Sequence, residues 1–210
     1  FFAKPEDVTN AFNSFAATIS QDGILVYCAD DAGSAALGRY PKLRPDLKVF
    51  SYGTTEGSDL YIDSINLLAM GSTARALWKG RLVGTLSLQV PGVHNVLNAG
   101  AALAMGLALG APAAELLAGL ASFHGAGRRF ELKGTVHGIR VIDDYGHHPT
   151  EITVTLNAAK RYAGDGRVLA IFQPHRYSRT QAFMKEFSTA LDLADEVILL
   201  EIYAASEKPI

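Results

Sequence analysis

A single cysteine, Cys28, among 210 residues excludes a disulfide framework and any multi-cysteine zinc site. In its apolar run the thiol reads as a small core side chain, and a lone cysteine fits a reducing compartment. An excess of one charge is also missing. Nineteen Lys and Arg stand against twenty-one Asp and Glu, for a net charge of −2, so no global field favours nucleic acid or an anionic membrane. Any anion site must therefore be local. No charge-flanked run of about 20 strongly apolar residues occurs. The longest weakly polar stretch, Ala99 to Leu120, is rich in Ala and Gly and broken by Pro112, which reads as a packed helix pair. With 49% hydrophobic residues, disorder is excluded as the main state and one or two domains with buried cores are expected. These features predict a cytoplasmic protein without nucleic-acid or membrane partners. Starting on Phe1 and stopping after Lys208-Pro209, with no signal peptide, the chain reads as a piece of a longer protein.

What is present falls into two textures. Val8, Ala11, Phe12 and Phe15 have helical spacing, and Asp22-Gly23 breaks into the apolar run Ile24 to Cys28. A short helix over Ala35 to Arg39 and a strand over Lys48 to Tyr52 follow. Asp59 to Met70, Ser72 to Trp78 and Leu82 to Val90 then suggest an antiparallel meander, and Val93 to Leu109 and Ala113 to Phe123 two helices. Beyond Gly125 the pattern becomes strand, helix, strand, helix, strand. A hairpin turn is expected at His137-Gly138, strands over Ile139 to Asp143, Val168 to Phe172 and Glu196 to Leu200, and helices over Thr150 to Arg161 and Tyr177 to Leu191. Such alternation implies a parallel sheet with right-handed crossovers. The fold class is α/β, with a domain of mixed sheet and helices over 1–125 and a parallel α/β domain over 126–210.

Ligands of open parallel sheets bind beyond the carboxyl ends of the strands. Two strand-to-helix loops hold the unusual residues there, Asp143-Asp144-Tyr145-Gly146-His147-His148-Pro149-Thr150-Glu151 and Gln173-Pro174-His175-Arg176-Tyr177-Ser178-Arg179. If both follow successive strands of one sheet, they face one crevice. Taken singly, each His or Asp reads more readily as capping or turn chemistry. Arg176 and Arg179, three apart at a helix start, share a face and fit a carboxylate or phosphate. A metal site from Asp143, Asp144, His147, His148 and His175 is the other reading, although neighbours in one loop rarely all point inward. A third cluster sets His94 and Asn98 one turn apart with Asn95 beside them. Its amides suit a purine edge, or simply cap the helix. Arg128-Arg129, just beyond the domain boundary, are either a solvated pair or a reach toward a phosphate.

These clusters resemble the Mur ligases, through Pro-Gly-Val-His-Asn-Val-Leu-Asn-Ala at 91–99, Gly-Arg-Arg-Phe-Glu at 127–131, Asp-Asp-Tyr-Gly-His-His-Pro-Thr-Glu at 143–151 and Phe-Gln-Pro-His-Arg-Tyr-Ser-Arg-Thr at 172–180. Tyr-Cys-Ala-Asp-Asp at 27–31 and Glu-Lys-Pro-Ile at 207–210 extend the likeness across the chain. One departure is Gly146, where the family more often has Ala. The resemblance implies the later half of a central ATPase domain followed by the first part of a Rossmann-like C-terminal domain. No Gly-Lys-Thr phosphate loop is present. The resemblance places that loop, and the acid and histidine that bind Mg2+, before Phe1, so no metal ligand is assigned here.

The resemblance further implies His94, Asn95 and Asn98 at the adenine of ATP, Arg129 at its phosphates and Asp144 near the ribose. It implies an amino-acid pocket of Tyr145, His147, His175, Arg176 and Arg179, with His147 as a candidate acceptor for the proton of the attacking amine. The implied reaction joins L-alanine to the lactyl carboxylate of UDP-N-acetylmuramate through an acyl phosphate, with closure around the joint near Gly125. Three other readings stand beside it: attachment of a recycled peptide to the same sugar, a metal hydrolase using His147, His148 and His175, and a non-catalytic nucleotide-binding module.

Overall fold

The apolar run released by Asp22-Gly23 forms β1 (Ile24–Cys28), which pairs in parallel with β2 (Lys48–Gly53). A computed structural model, which describes residues 4–39 and 45–210, divides the chain into two units. The first holds the residues up to Leu67 with Gly71–Gln89 and Val93–Phe123, and the second Leu68–Met70, Val90–Gly92 and His124–Ile210.

In the first unit α1 (Pro5–Ala16) opens on Pro5, and the Asp7 carboxylate accepts the Lys4 N–H at 3.0 Å, the usual chemistry of a helix start. The helix α2 (Ala32–Gly38) starts earlier than its Ala content suggests because Asp31 Oδ1 accepts the Ser34 N–H at 2.7 Å. The sheet continues through β3 (Leu60–Leu68), β4 (Gly71–Trp78) and β5 (Arg81–Leu88) in the order β1-β2-β3-β4-β5. Of the expected meander, β3 lies beside β4 and β4 pairs with β5 antiparallel, while on its other edge β3 joins β2 in parallel through Tyr52↔Leu60 and Gly53↔Tyr61. Across the sheet lies α3 (Val93–Ala108), followed by α4 (Ala113–Ala121) against β5. Leu60, Ile62, Leu86, Val96 and Leu103 are fully buried. Gly100 permits the contact, since a Cβ there would run into Ile62. At the carboxyl ends of β1 and β2, Asp30 accepts hydrogen bonds from the amides and hydroxyls of Thr54 and Thr55.

In the second unit β6 (Glu131–Val136) and β7 (Ile139–Asp143) form an antiparallel hairpin. Its turn is His137-Gly138 as read, and both residues have positive φ, +50° and +80°, as a two-residue primed turn requires. Then come α5 (Pro149–Ala163), β8 (Leu169–Phe172), α6 (Tyr177–Ala182), α7 (Met184–Leu191) and β9 (Glu196–Leu199). Ile152, Leu156, Val168, Phe187, Ala190 and Leu191 make the core.

Two expectations need correction. β8 and β9 pair in parallel, but among the described residues β7 is not hydrogen-bonded to β8. The strands stand apart around an apolar cavity of about 590 Å³, lined by Ile142, Leu156 and Phe172 among others. Arg140 of β7 lies over the Tyr162 ring of α5 at 4.1 Å. The helix read over Tyr177 to Leu191 is broken at Phe183 (φ −119°, ψ 23°), whose ring meets His148 edge-on at 4.9 Å.

Candidate active site

The loop after β7 is shaped by carboxylates that serve the backbone. Asp144 accepts the N–H of Gly146 at 2.7 Å and of Phe130 at 2.8 Å. Glu151 accepts the N–H of His147 at 2.9 Å and of His148 at 3.1 Å, and its other oxygen takes Arg129 Nη1 at 3.2 Å. Although partial burial opposes ionisation, those backbone bonds and the Arg129 guanidinium hold Glu151 below the usual carboxylate range. His148 caps α5, its Nδ1 accepting the Thr150 N–H at 3.3 Å. Pro149 and Glu151 stand in the first turn of α5. Turn and cap chemistry thus accounts for Asp144, His148 and Glu151.

Two rings are left to face outward. Tyr145 lies under Arg128, 5.0 Å from the ring centre, and Arg129, 5.7 Å, and meets His147 edge-on at 5.1 Å. His147 Nδ1 donates to the carbonyl of Tyr145 at 3.0 Å, which fixes the tautomer and leaves the lone pair of a neutral ring on Nε2.

The loop after β8 is strained where it matters. Arg176 holds φ +74° just before α6, a conformation that side chains seldom adopt and that persists only when neighbours enforce it. The enforcing neighbour is the loop after β9. Arg176 N–H donates to the Tyr203 carbonyl and Tyr203 N–H to that of Pro174, each at 2.8 Å. The Tyr203 ring stacks on His175 at 5.4 Å, and His175 lies 6.3 Å from His147. The two histidine loops therefore meet even though their strands do not pair.

Arg176 stands at the N-cap, outside the regular turns of α6, and Arg179 within them. The two arginines have different surroundings. Arg176 is half exposed, with Nη1 3.9 Å from Glu207 Oε1. Arg179 Nη1 and His175 Nδ1 are buried without a hydrogen-bond partner. Burial and the charges of Arg179, Arg176 and His147 push the His175 imidazole below its ordinary pKa, against the opposing Glu207, so the ring is neutral at pH 7. A guanidinium donor and an imidazole nitrogen, both lacking partners, are groups that a ligand with an anionic and a hydrogen-bonding end could satisfy. Tyr203 does not stand out in the sequence, and Glu207 does so only within the family-like Glu-Lys-Pro-Ile stretch, with no role attached. The signal for them was the same strand-end rule, applied to the third strand.

In the first unit α3 begins at Val93, so His94 and Asn95 occupy its first turn and Asn98 the next. His94 and Asn98 are exposed, Asn95 is half-buried, and Val96, Ala99, Gly100 and Leu103 form the buried side. Among the described residues no group of three or more His, Cys, Asp or Glu could hold a metal ion, and no helix is long and apolar enough to cross a membrane.

Residues 1–106 match the Mur ligase middle domain, and residues 128–209 the Mur ligase glutamate ligase domain. The UDP-N-acetylmuramate–L-alanine ligase of Paenarthrobacter aurescens is 46% identical over 209 residues, all of this chain and 45% of that protein. The same ligase of Kineococcus radiotolerans is 47% identical over 99% of this chain and 44% of its own length. The chain thus spans less than half the length of the curated relatives it matches. Among solved structures, the UDP-N-acetylmuramate-alanine ligase MurC of Thermotoga maritima superimposes with a TM-score of 0.77 at 30% identity, covering 96% of this chain and 42% of that one. With the middle-domain match alone covering half of its residues, and a second Mur ligase domain beyond it, this chain belongs to the Mur ligase family.

Proposed function

We propose that this chain is part of an ATP-dependent ligase that joins L-alanine to the lactyl carboxylate of UDP-N-acetylmuramate in peptidoglycan precursor synthesis. The observation that carries the reading is the pair of buried, unpartnered atoms, Arg179 Nη1 and His175 Nδ1, in a chain whose relatives bear that ligase's name. Phosphoryl transfer from ATP to the carboxylate gives an acyl phosphate, and attack by the alanine amine expels phosphate and leaves the amide. Positioning and charge neutralisation supply most of such catalysis.

In this reading Arg179 grips the alanine carboxylate and His175 offers a neutral nitrogen to the amine. Tyr145 and His147 wall the pocket, with the Nε2 lone pair of His147 free to take up the proton the amine must lose. Arg176 contributes charge from the rim. His94, Asn95 and Asn98 serve the adenine of ATP, Arg129 its phosphates and Asp144 the ribose. Arg129 would use the guanidinium nitrogens that Glu151 leaves over, and Asp144 the lone pairs not taken by Phe130 and Gly146. No group of three or more His, Cys, Asp or Glu among the described residues could hold a metal ion, and in this reading the residues that hold Mg2+ belong to the rest of the ligase. His148, spent on capping, does not join His147 and His175 in a ligand set, which weakens the metal-hydrolase reading.

The boundary near Gly125 separates, in this reading, the later half of the central domain from the start of the C-terminal domain, in a cytoplasmic enzyme. The test is a coupled assay of the full-length ligase for release of ADP and phosphate dependent on both L-alanine and UDP-N-acetylmuramate. Turnover is expected with alanine and not with a tripeptide acceptor. Equal or better use of the tripeptide would transfer the assignment to the peptide-recycling reaction. The 210-residue chain alone, without a phosphate loop, should give no turnover.

A further inference from the structure

A helix of six residues entered at φ +74° has little of its own to hold it, yet α6 carries Arg179. What restrains it lies 29 residues further on. Glu207 Oε1 accepts the Ser178 hydroxyl at 2.6 Å, and Oε2 accepts the Ser178 N–H at 3.0 Å. The Ser178 hydroxyl, the Ser178 N–H and, further off, the Arg176 guanidinium hold the Glu207 carboxyl below its usual range. The negative charge expected at this helix start is therefore present, and it belongs to the chain itself. With Tyr203 bonded to the backbone on both sides of His175, the segment after β9 is fastened to the pocket loop at three successive places, Pro174, Arg176 and Ser178.

We propose that Glu207 is a positioning residue of the acceptor pocket. Clamped on Ser178 and facing Arg176, it fixes the start of α6 so that Arg179 and His175 are presented together, and it occupies Arg176 so that Arg179 is left for the acceptor. The proposal rests on reading this pocket as the amino-acid site. The plain alternative is a surface hydrogen bond that steadies the fold and nothing more. Chemistry separates the two. In Glu207→Gln the amide oxygen still accepts the Ser178 N–H and the amide nitrogen donates to the Ser178 hydroxyl, but the charge is gone. In Glu207→Ala both bonds are lost.

The charged or titratable groups facing His175 are Arg179, Arg176 and, when it carries a proton, His147, which disfavour its protonated form, and Glu207, which favours it. Removing only the charge therefore lowers the pH at which His175 protonates.

The experiment is steady-state kinetics of the full-length ligase with each substrate varied in turn, alongside thermal unfolding. Glu207→Ala is expected to raise the KM for L-alanine at least tenfold with the KM for ATP within twofold. Glu207→Gln should restore the alanine KM to within about threefold and shift the acid limb of kcat/KM for alanine to lower pH. Ser178→Ala, which removes only the hydroxyl, should fall between them and serves as the readout if Glu207→Ala does not fold. Unchanged alanine KM in folded Glu207→Ala or, failing that, in Ser178→Ala overturns the proposal. So does an equal rise for all substrates. Arg179→Lys in the same assay tests the underlying reading. If it leaves the alanine KM unchanged, the pocket assignment fails, whereas a rise there beside an indifferent Glu207→Ala sinks only the positioning role.

Discussion

The first unit presents its candidate site residues from a regular helix, and the second from loops locked by carboxylates. On α3, Val96 and Leu103 are fully buried and fix the helix on the sheet, so His94 and Asn98 are displayed by the 3.6-residue period alone. In the second unit Asp144, Glu151 and Glu207 spend their oxygens on backbone N–H groups, and those bonds decide where Tyr145, His147, His175 and Arg179 stand. On the helix a substitution is expected to cost its own contact. In the loops, removing a residue that touches no substrate should displace several that do.

The comparison is sharpened most by the two arginines. Arg179→Lys loses a buried planar donor and should lower kcat/KM for alanine by roughly 10- to 100-fold, while Arg176→Lys, at an exposed rim pair, should cost only a few-fold. Equal losses in steady-state kinetics would mean that burial does not distinguish them. Next in size is Glu151→Ala, which frees the N–H groups of His147 and His148. It should lower unfolding stability by about 1–2 kcal/mol in denaturant titration and also raise the alanine KM. Loss of stability with unchanged alanine kinetics would break the link between loop locking and pocket geometry.

For the helical site, Asn98→Ala should raise the KM for ATP by about 1 kcal/mol, or five- to tenfold, and leave the melting temperature and the alanine KM alone. A fall in melting temperature would put Asn98 in the architecture instead. The smallest effect is expected from pH. Because burial and the neighbouring cations depress the folded pKa of His175, its contribution to stability is present above the unfolded value of about 6.5 and is lost as pH falls through the folded one. The carboxylates of Glu151, Asp195 and Glu207 are also depressed and add a steeper loss below about pH 4.5. A flat stability profile from pH 7 to 5 would contradict the His175 contribution.

Legibility in the sequence follows the same division. α3, the His137-Gly138 turn and the Pro149-Glu151 start of α5 were readable because each is settled by residues within a turn or two of one another. The break at Phe183 was not, since no helix-breaking residue stands beside it and its ring partner, His148, lies far along the chain. Nor was the gap between β7 and β8, since β-pairing depends on what fills the space between strands. Arg176 carries a backbone angle that its residue type argues against, and the clamp that enforces it lies far along the chain. For Asp144 the sequence also reads as local turn chemistry, and its bonds to Phe130 and Gly146 display it.

The His137-Gly138 turn has a kinetic consequence. Strands joined by two residues meet almost as soon as the chain is free to move, on a scale of about 1–10 μs. β8 and β9 can pair only after α6 and α7 have brought their ends around, and the Glu207 clamp must wait for both. The loop after β8 is thus the part of this unit expected to order last and to exchange its amide hydrogens first, with Ser178 the amide at which that lag is best followed.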